Sequence, residues 1–273
     1  MTYEPPTPSE LRKLHSERAL DWHDYADAWL RFRPGRLLDF GCGPGAFLRR
    51  IAGRCEEAWG VDVDPEAVAA AATAVDGRVR RVPAGHTLPF PSDFFDTVVS
   101  LEVVEHVADE RAMLGELSRV LRPGGRLLIT TPHRGLLTFF DPGNFKFVAP
   151  RLHRFFHKNV LRSRRYYDDR FGDARRRGQG MVADFTLDQV PWHRHYRFGE
   201  LCRLAPAELR PTAWAVYYPG FRAFSALRLA VKVVSRGRIE EHLRPACWAR
   251  RQLSRCRTLL GDQLVVLFEK RRD

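Results

Sequence analysis

Two aspartates and three glycines mark where this chain could do chemistry. In "LLDFGCGPGAFL" (37–48) an apolar run meets a turn holding Gly41, Gly43 and Gly45, with Asp39 two residues before the first glycine. Glycine-rich turns between a strand and a helix let backbone approach a ligand closely and often hold a nucleotide. The spacing alone is ambiguous. Gly41, Gly43 and Ala46 fit the dinucleotide fingerprint, and Gly41, Gly43 and Gly45 fit a tighter pattern. The neighbours discriminate. A carboxylate at Asp39 would repel a pyrophosphate, and Pro44 removes one N–H from any phosphate cradle. Both features point to a positively charged nucleoside without phosphate. S-adenosyl-L-methionine, with its sulfonium and ammonium, has that chemistry. Asp62 lies 23 residues after Asp39, where a neighbouring strand should end. A carboxylate there can accept from both ribose hydroxyls.

These residues need a scaffold, and the pattern around them supplies one. Strands are expected at 36–40, 58–64, 78–82, 95–100 and 126–132. Helices are expected at 46–54, 65–75 and 110–121, the second opening on a proline at its first position. Alternation at this spacing predicts an α/β fold with a doubly wound, parallel sheet. Residues 9–30 carry apolar and aromatic side chains at helical spacing and should form a helical cap that ends before Pro34. After 132 the rhythm breaks into aromatic, turn-rich and basic stretches. "TAWAVYYPG" (212–220) and "DQLVVLFEK" (262–270) read as the last two strands. A single domain over 1–273 is expected: a cap at 1–35, a cofactor-binding core at 36–132, a substrate-side insertion at 133–211, and the last strands with a helical basic insertion at 212–273.

Four stretches in order, "LLDFGCGPG", "GVDVDPEAV", "LPFPSDFFDTVVSLEVVEHV" and "LRPGGRLLITTP", resemble the motifs of class I S-adenosylmethionine-dependent methyltransferases. The group in question includes quinone-biosynthesis O-methyltransferases. The resemblance covers about 36–131 and returns at the last strand. It implies a Rossmann-like, mostly parallel seven-stranded sheet with helical insertions. It also implies a cofactor site made by Asp39, Gly41, Gly43, Gly45, Asp62, Val63, Ala84, Gly85, His86 and Leu101. One position departs from the family. An acidic residue often stands four positions before the "LPF" leucine and accepts from adenine N6; here it is Ala84. Backbone groups of Ala84 and Gly85, or the His86 side chain, must substitute.

Methyl transfer from a sulfonium is an in-line displacement, and an enzyme mainly aligns donor and acceptor. A hydroxyl acceptor also benefits from a general base. Ligands bind beyond the carboxyl ends of the strands in such sheets. The candidates there are Glu102, Glu105 and His106 after the fourth strand and His133 after the fifth, with His193 and His195 farther on. Glu105 and His106 also read as the start of the helix near 109. His133, directly after "TTP", is the favoured base. His193 and His195, two apart in an extended stretch, share one face and suit a substrate pocket or an aromatic-rich structural turn. H-x-H without a clear third ligand does not define a metal site.

Charge is unevenly placed on this 273-residue chain of net charge +12. Residues 37–131 carry net −4, while 134–180 and 221–273 carry +8 each, which points to an anionic partner. In 221–236, Arg222, Ser225, Arg228, Lys232 and Arg236 fall within about 120° of helical arc opposite an apolar face. Such a helix can rest on an anionic membrane, cover a lipid-like pocket, or pack on the core with its arginines in water. Five scattered cysteines without C-x-x-C, no apolar run of spanning length and no basic-then-apolar start suggest a cytoplasmic protein. The reading is a methyltransferase acting on a small-molecule acceptor, anionic and lipid-linked ones included, most simply at a hydroxyl. The alternatives are an RNA methyltransferase using the basic segments and a non-catalytic cofactor-binding subunit. Specific nucleic-acid binding is not expected, because "SLEVVEH" stands where an N-P-P-Y-like amide motif would be.

Overall fold

The computed structural model describes residues 22–135, 194–217 and 261–272, with residues 3, 4, 6, 7, 10, 138, 151, 155, 158 and 159. Helix α1 (Trp22–Trp29) leads into strand β1 (Arg36–Phe40), helix α2 (Ala46–Ile51) with a 3-10 turn at Ala52–Arg54, and β2 (Glu57–Asp62). Helix α3 (Pro65–Ala72), β3 (Val79–Arg81), β4 (Phe95–Leu101), a 3-10 turn (Val104–His106), α4 (Glu110–Val120) and β5 (Leu121–Pro132) follow. The chain closes with α5 (Phe198–Leu204), β6 (Leu209–Tyr217) and β7 (Gln263–Lys270).

The strands form one seven-stranded sheet in the order β3-β2-β1-β4-β5-β7-β6. The first five run parallel, and β7 pairs antiparallel with both β5 and β6. The expected Rossmann-like, mostly parallel sheet is therefore present. Strand order reverses between β1 and β4, which creates a crevice at their carboxyl ends. Apolar side chains from alternate positions bury both faces. Leu38, Val98, Leu127 and Phe268 lie in one cluster, and Leu37, Val99, Leu128 and Leu267 in the other. That two-sided burial explains why the strands read as continuous apolar runs.

Helix starts follow local chemistry. Asp64 caps α3 by accepting from Glu66 N at 3.0 Å, with Pro65 in the first turn. Asp109 caps α4 by accepting from Ala112 N at 2.9 Å. Helix α1 is tied to the far edge of the sheet, since Trp29 Nε1 donates to the Tyr217 hydroxyl at 2.9 Å.

Two strand starts and one helix stand apart from the pattern reading. β5 pairs Leu121 with Phe95 before the "RPGG" excursion and resumes at Arg126 opposite Thr97, so the turn is a bulge inside the strand rather than its beginning. β6 starts at Leu209, not 212, because pairing with β7 from Lys270 onward holds the earlier residues in register. α5 has no counterpart in the sequence pattern; its Arg197 N donates to Glu200 Oε2 at 2.8 Å, closing the first turn. His193, the helix expected at 221–236, residues 11–21 of the cap at 1–35 and most of the insertion at 133–211 lie outside the described residues.

Candidate functional site

The glycine turn sits at the crevice between β1 and β4. Gly41, Gly43 and Gly45 have φ of 78°, 50° and 80°, a region that side chains bearing Cβ rarely adopt. Two of them are also in close contact. A Cβ on Gly41 would lie 2.4 Å from Val103 Cγ2, and one on Gly45 would lie 2.9 Å from Ala71 Cα. Gly43 differs: a Cβ there would meet no atom within 4 Å, so the loop faces open space at that point. The turn is held from β2, as Gly41 N and Cys42 N both donate to Val61 O at 2.8 and 3.0 Å.

The two aspartates play different parts. Asp62 accepts from Gly43 N at 2.8 Å through Oδ2 and from Asp64 N at 3.0 Å through Oδ1. It thereby fixes the turn and keeps a hydrogen-bonded carboxylate at the end of β2. Asp39 is 2 % exposed, and no donor among the described residues reaches its carboxylate. Burial first, and the nearby Asp62 second, push its pKa up to about 8. A buried acid without a donor is poised for a cation. These observations fit S-adenosylmethionine: an open glycine cradle, a ribose-type acceptor and a carboxylate lacking a positive partner among the described residues.

The loop after β3 continues from the ribose position. Val82 N donates to Asp62 O at 2.9 Å. Ala84, Gly85 and His86 then follow, all exposed. Val63 lends its carbonyl to Arg81 Nε at 3.2 Å, and Leu101 packs against the apolar layer that holds Leu37 and Val99.

Beyond β4 and β5 the sheet edge becomes polar and buried. Glu102 has φ of 57°, uncommon for a residue with a Cβ and a mark of strain held by its surroundings. Its Oε1 accepts from Thr130 Oγ1 at 2.8 Å and from Gln263 Nε2. Glu105 is 1 % exposed and accepts from Thr131 Oγ1 at 3.0 Å, with His106 Nε2 3.8 Å away. It packs against β5 rather than starting α4, whose cap is Asp109.

His133 is buried one residue past β5. Its N donates to Asp262 O at 2.8 Å, and its Nδ1 lies 2.8 Å from Gly261 O. A carbonyl only accepts, so Nδ1 carries the hydrogen and the neutral ring has its lone pair on Nε2. Tyr196 forms a bridge with His133. Tyr196 N donates to Pro132 O at 3.0 Å, and Tyr196 O accepts from Arg134 N at 2.9 Å. His195, also buried, adjoins that bridge. The segment is bolted down from the other side: Arg194 donates to Val107 O at 2.9 Å and pairs with Glu110, which accepts from the Tyr196 hydroxyl at 3.0 Å.

Residues 38–129 match the family model for a methyltransferase domain. That segment, about a third of the chain, is similar to methyltransferase domains. Over 111 residues the chain is 38% identical to a "Probable S-adenosylmethionine-dependent methyltransferase" of Mycolicibacterium smegmatis, covering 39% of this chain and 40% of that protein. It is 33% identical over 118 residues to a ubiquinone biosynthesis O-methyltransferase of Xanthomonas oryzae, covering 41% and 48%. The chain thus spans less than half the length of these two relatives. Among solved structures, a SAM-dependent methyltransferase of Thermotoga maritima superposes with TM-score 0.53 at 17% identity, covering 96% of this chain and 94% of that one. The YcgJ protein of Bacillus subtilis gives 0.51 at 18%, covering 92% and 99%. These two show the shared fold.

The fold places Asp39, Gly41, Gly43, Gly45, Asp62 and Val63 around one turn, with the 84–86 loop beginning beside Asp62. Glu102, His133 and His195 lie along the carboxyl edge of β4 and β5. Sequence reading did not find Thr130, Thr131, Gln263 or the Gly261 carbonyl as partners in the site. The local trace of the last two is the polar "GDQ" where β7 begins.

Proposed function

We propose that this chain is an S-adenosylmethionine-dependent methyltransferase that methylates a hydroxyl of a small acceptor, anionic or lipid-linked. The observation that carries the O-methylation reading is His133. Its ring donates from Nδ1 to Gly261 O, which fixes the imidazole at the carboxyl edge of β5, where an acceptor would lie. The bound cofactor supplies a methyl group on a sulfonium with a good leaving group. The chain supplies position and proton handling. Asp62 and the glycine turn hold the nucleoside and methionine portions, Asp39 meets a positive charge, and His133 takes the acceptor proton as the new bond forms. Glu102, clamped by Thr130 and Gln263, shapes the floor beside it.

An anionic acceptor is supported by where the basic segments are rooted. Apart from a few positions, the described residues stop at Gly135 and resume at Arg194, and stop at Tyr217 and resume at Gly261. Residues 135–193 carry net +5 and 218–260 carry net +8. Both roots meet at His133, through Tyr196 on one side and Gly261 and Asp262 on the other. A lipid carrier is supported by the basic, amphipathic pattern of 221–236. Among the described residues no helix is long and apolar enough to cross a membrane.

The test is methyl transfer followed by mass. The protein is incubated with isotope-labelled S-adenosylmethionine and a small-molecule and lipid extract, with His133→Ala alongside. A labelled hydroxyl product that depends on His133 supports the reading. Transfer into total RNA that persists at physiological salt overturns it, as does tight cofactor binding without transfer to any acceptor.

A further inference from the structure

The residue pair Glu116 and Arg119 on α4 reaches a loop that the cofactor site depends on. Leu88 N donates to Glu116 Oε1 at 2.6 Å. Arg119 donates through Nη2 to Leu88 O at 3.2 Å and through Nη1 to Phe90 O at 2.9 Å and Ser92 Oγ at 3.4 Å. The guanidinium is itself oriented by Glu116, with Nε to Oε2 at 2.8 Å and Nη2 to Oε1 at 2.6 Å. An i,i+3 ion pair on a helix surface ordinarily does no more than steady its own helix. This one spends its remaining hydrogen bonds on main-chain groups of residues 88 and 90 and on the Ser92 hydroxyl. Pairing holds the Glu116 carboxyl below its usual range and the Arg119 guanidinium above its own.

The other end of the same loop is fixed at the ribose position, where Val82 N donates to Asp62 O at 2.9 Å. Between these anchors lie 83–87, all exposed, with Gly85 at φ of 77°. A base joined to a ribose held by Asp62 meets this stretch first. Adenine offers a donor at N6 and an acceptor at N1. Ala84 has no side-chain group for either, so recognition falls on backbone N–H and C=O or on the His86 side chain, and the path of the loop sets the direction of both.

We propose that Glu116 and Arg119 are positioning residues for base recognition: they hold the 83–87 backbone where it reads the Watson–Crick edge of the cofactor's adenine. The proposal rests on the reading of Asp62 as the ribose acceptor. Its signature is selectivity, not affinity alone. Replacing adenine by hypoxanthine inverts the pattern, making N1 a donor and position 6 an acceptor.

Calorimetry with S-adenosylhomocysteine and S-inosylhomocysteine tests it on the full chain. The wild type prefers the adenine ligand by about tenfold or more, the scale of one or two hydrogen bonds. Arg119→Ala and Glu116→Ala reduce that preference to about twofold. Arg119→Lys, which keeps the charge but not the planar fork, restores only part of it. If Arg119→Ala fails to fold by circular dichroism, Glu116→Gln gives the same readout. The amide oxygen of that variant still accepts from Leu88 N, but an uncharged partner holds Arg119 more weakly, so the preference falls partway. A wild type that binds both ligands equally overturns the proposal. So does a folded variant that loses affinity for both ligands in parallel while keeping its preference. A wild type that binds neither ligand instead refutes the cofactor reading beneath it.

Discussion

The two halves of the sheet are built by different means. On the β3-β2-β1-β4 side, every strand is parallel to its neighbours. The groups that matter there are close in sequence: Gly43 N and Asp62 are 19 residues apart. On the β5-β7-β6 side, pairing is antiparallel and long-range, with Arg126 opposite Glu269. The polar contacts are long-range too. His133 reaches Gly261 across 128 residues, and Glu102 reaches Gln263 across 161. The first half suits a ligand of fixed structure, held by backbone and two aspartates. On the proposed reading the acceptor meets the second half, where the described residues adjoin the two basic stretches of the sequence.

Substitutions should separate the halves, and the largest effect is expected at His133. His133→Ala lowers turnover by about 10²–10⁴, the usual contribution of a positioned base, and leaves cofactor affinity unchanged. Steady-state kinetics beside calorimetry will show it; full turnover in the variant would shift the role to His195, His193 or Glu102. On the other side, Asp62→Ala should do the reverse. Loss of hydrogen bonds to a charged acceptor costs about 1.5–3 kcal/mol, or about 10- to 150-fold in cofactor affinity, read by calorimetry. An unchanged Kd would break the division of labour.

Asp39 sharpens the cofactor half through pH. Its folded pKa, about 8, stands above its ordinary value of 3.8 because of burial and Asp62. For a raised carboxyl, the ligand-free protein loses stability as pH climbs from about 4 to about 8 and Asp39 is forced to ionise. A cation beside it favours the ionised form, so cofactor binding releases a proton in that window. Affinity should rise by up to about tenfold between about pH 6.5 and 7.5 and level off above about 8. Asp39→Asn flattens that profile and removes the stability slope in thermal melts. Proton release that is unchanged in Asp39→Asn would place the titrating group elsewhere.

The smallest effect is expected on the border between the halves. Ser100 is fully buried on β4, beside Phe40 and Ile129, and its Oγ has no hydrogen-bond partner among the described residues. Ser100→Ala should raise unfolding free energy by about 1 kcal/mol, since an unsatisfied hydroxyl is removed from the core. Chemical denaturation measures this. If stability falls, the hydroxyl has a partner in the folded protein and belongs to one of the two sites.

The glycine turn, both aspartates, the order of βα units and the parallel core were all legible in the sequence, because each is written in local signals. Asp64 and Pro65 start α3, Asp109 starts α4, and the glycines occupy left-handed backbone that few other residues tolerate. His133 could be placed at the edge of the sheet from its position after "LLITTP" alone. Its tautomer could not, because that is set by the Gly261 carbonyl, which β7 delivers by pairing with β5. The clamp on Glu102 and the hold of Arg119 on the loop at 88–90 were equally silent. Local periodicity records which face of an element is apolar; it does not record which distant donor that face will meet. Only the antiparallel insertion of β7 between β5 and β6 brings Gln263 and Gly261 to the site, and that choice belongs to the packing of the whole sheet.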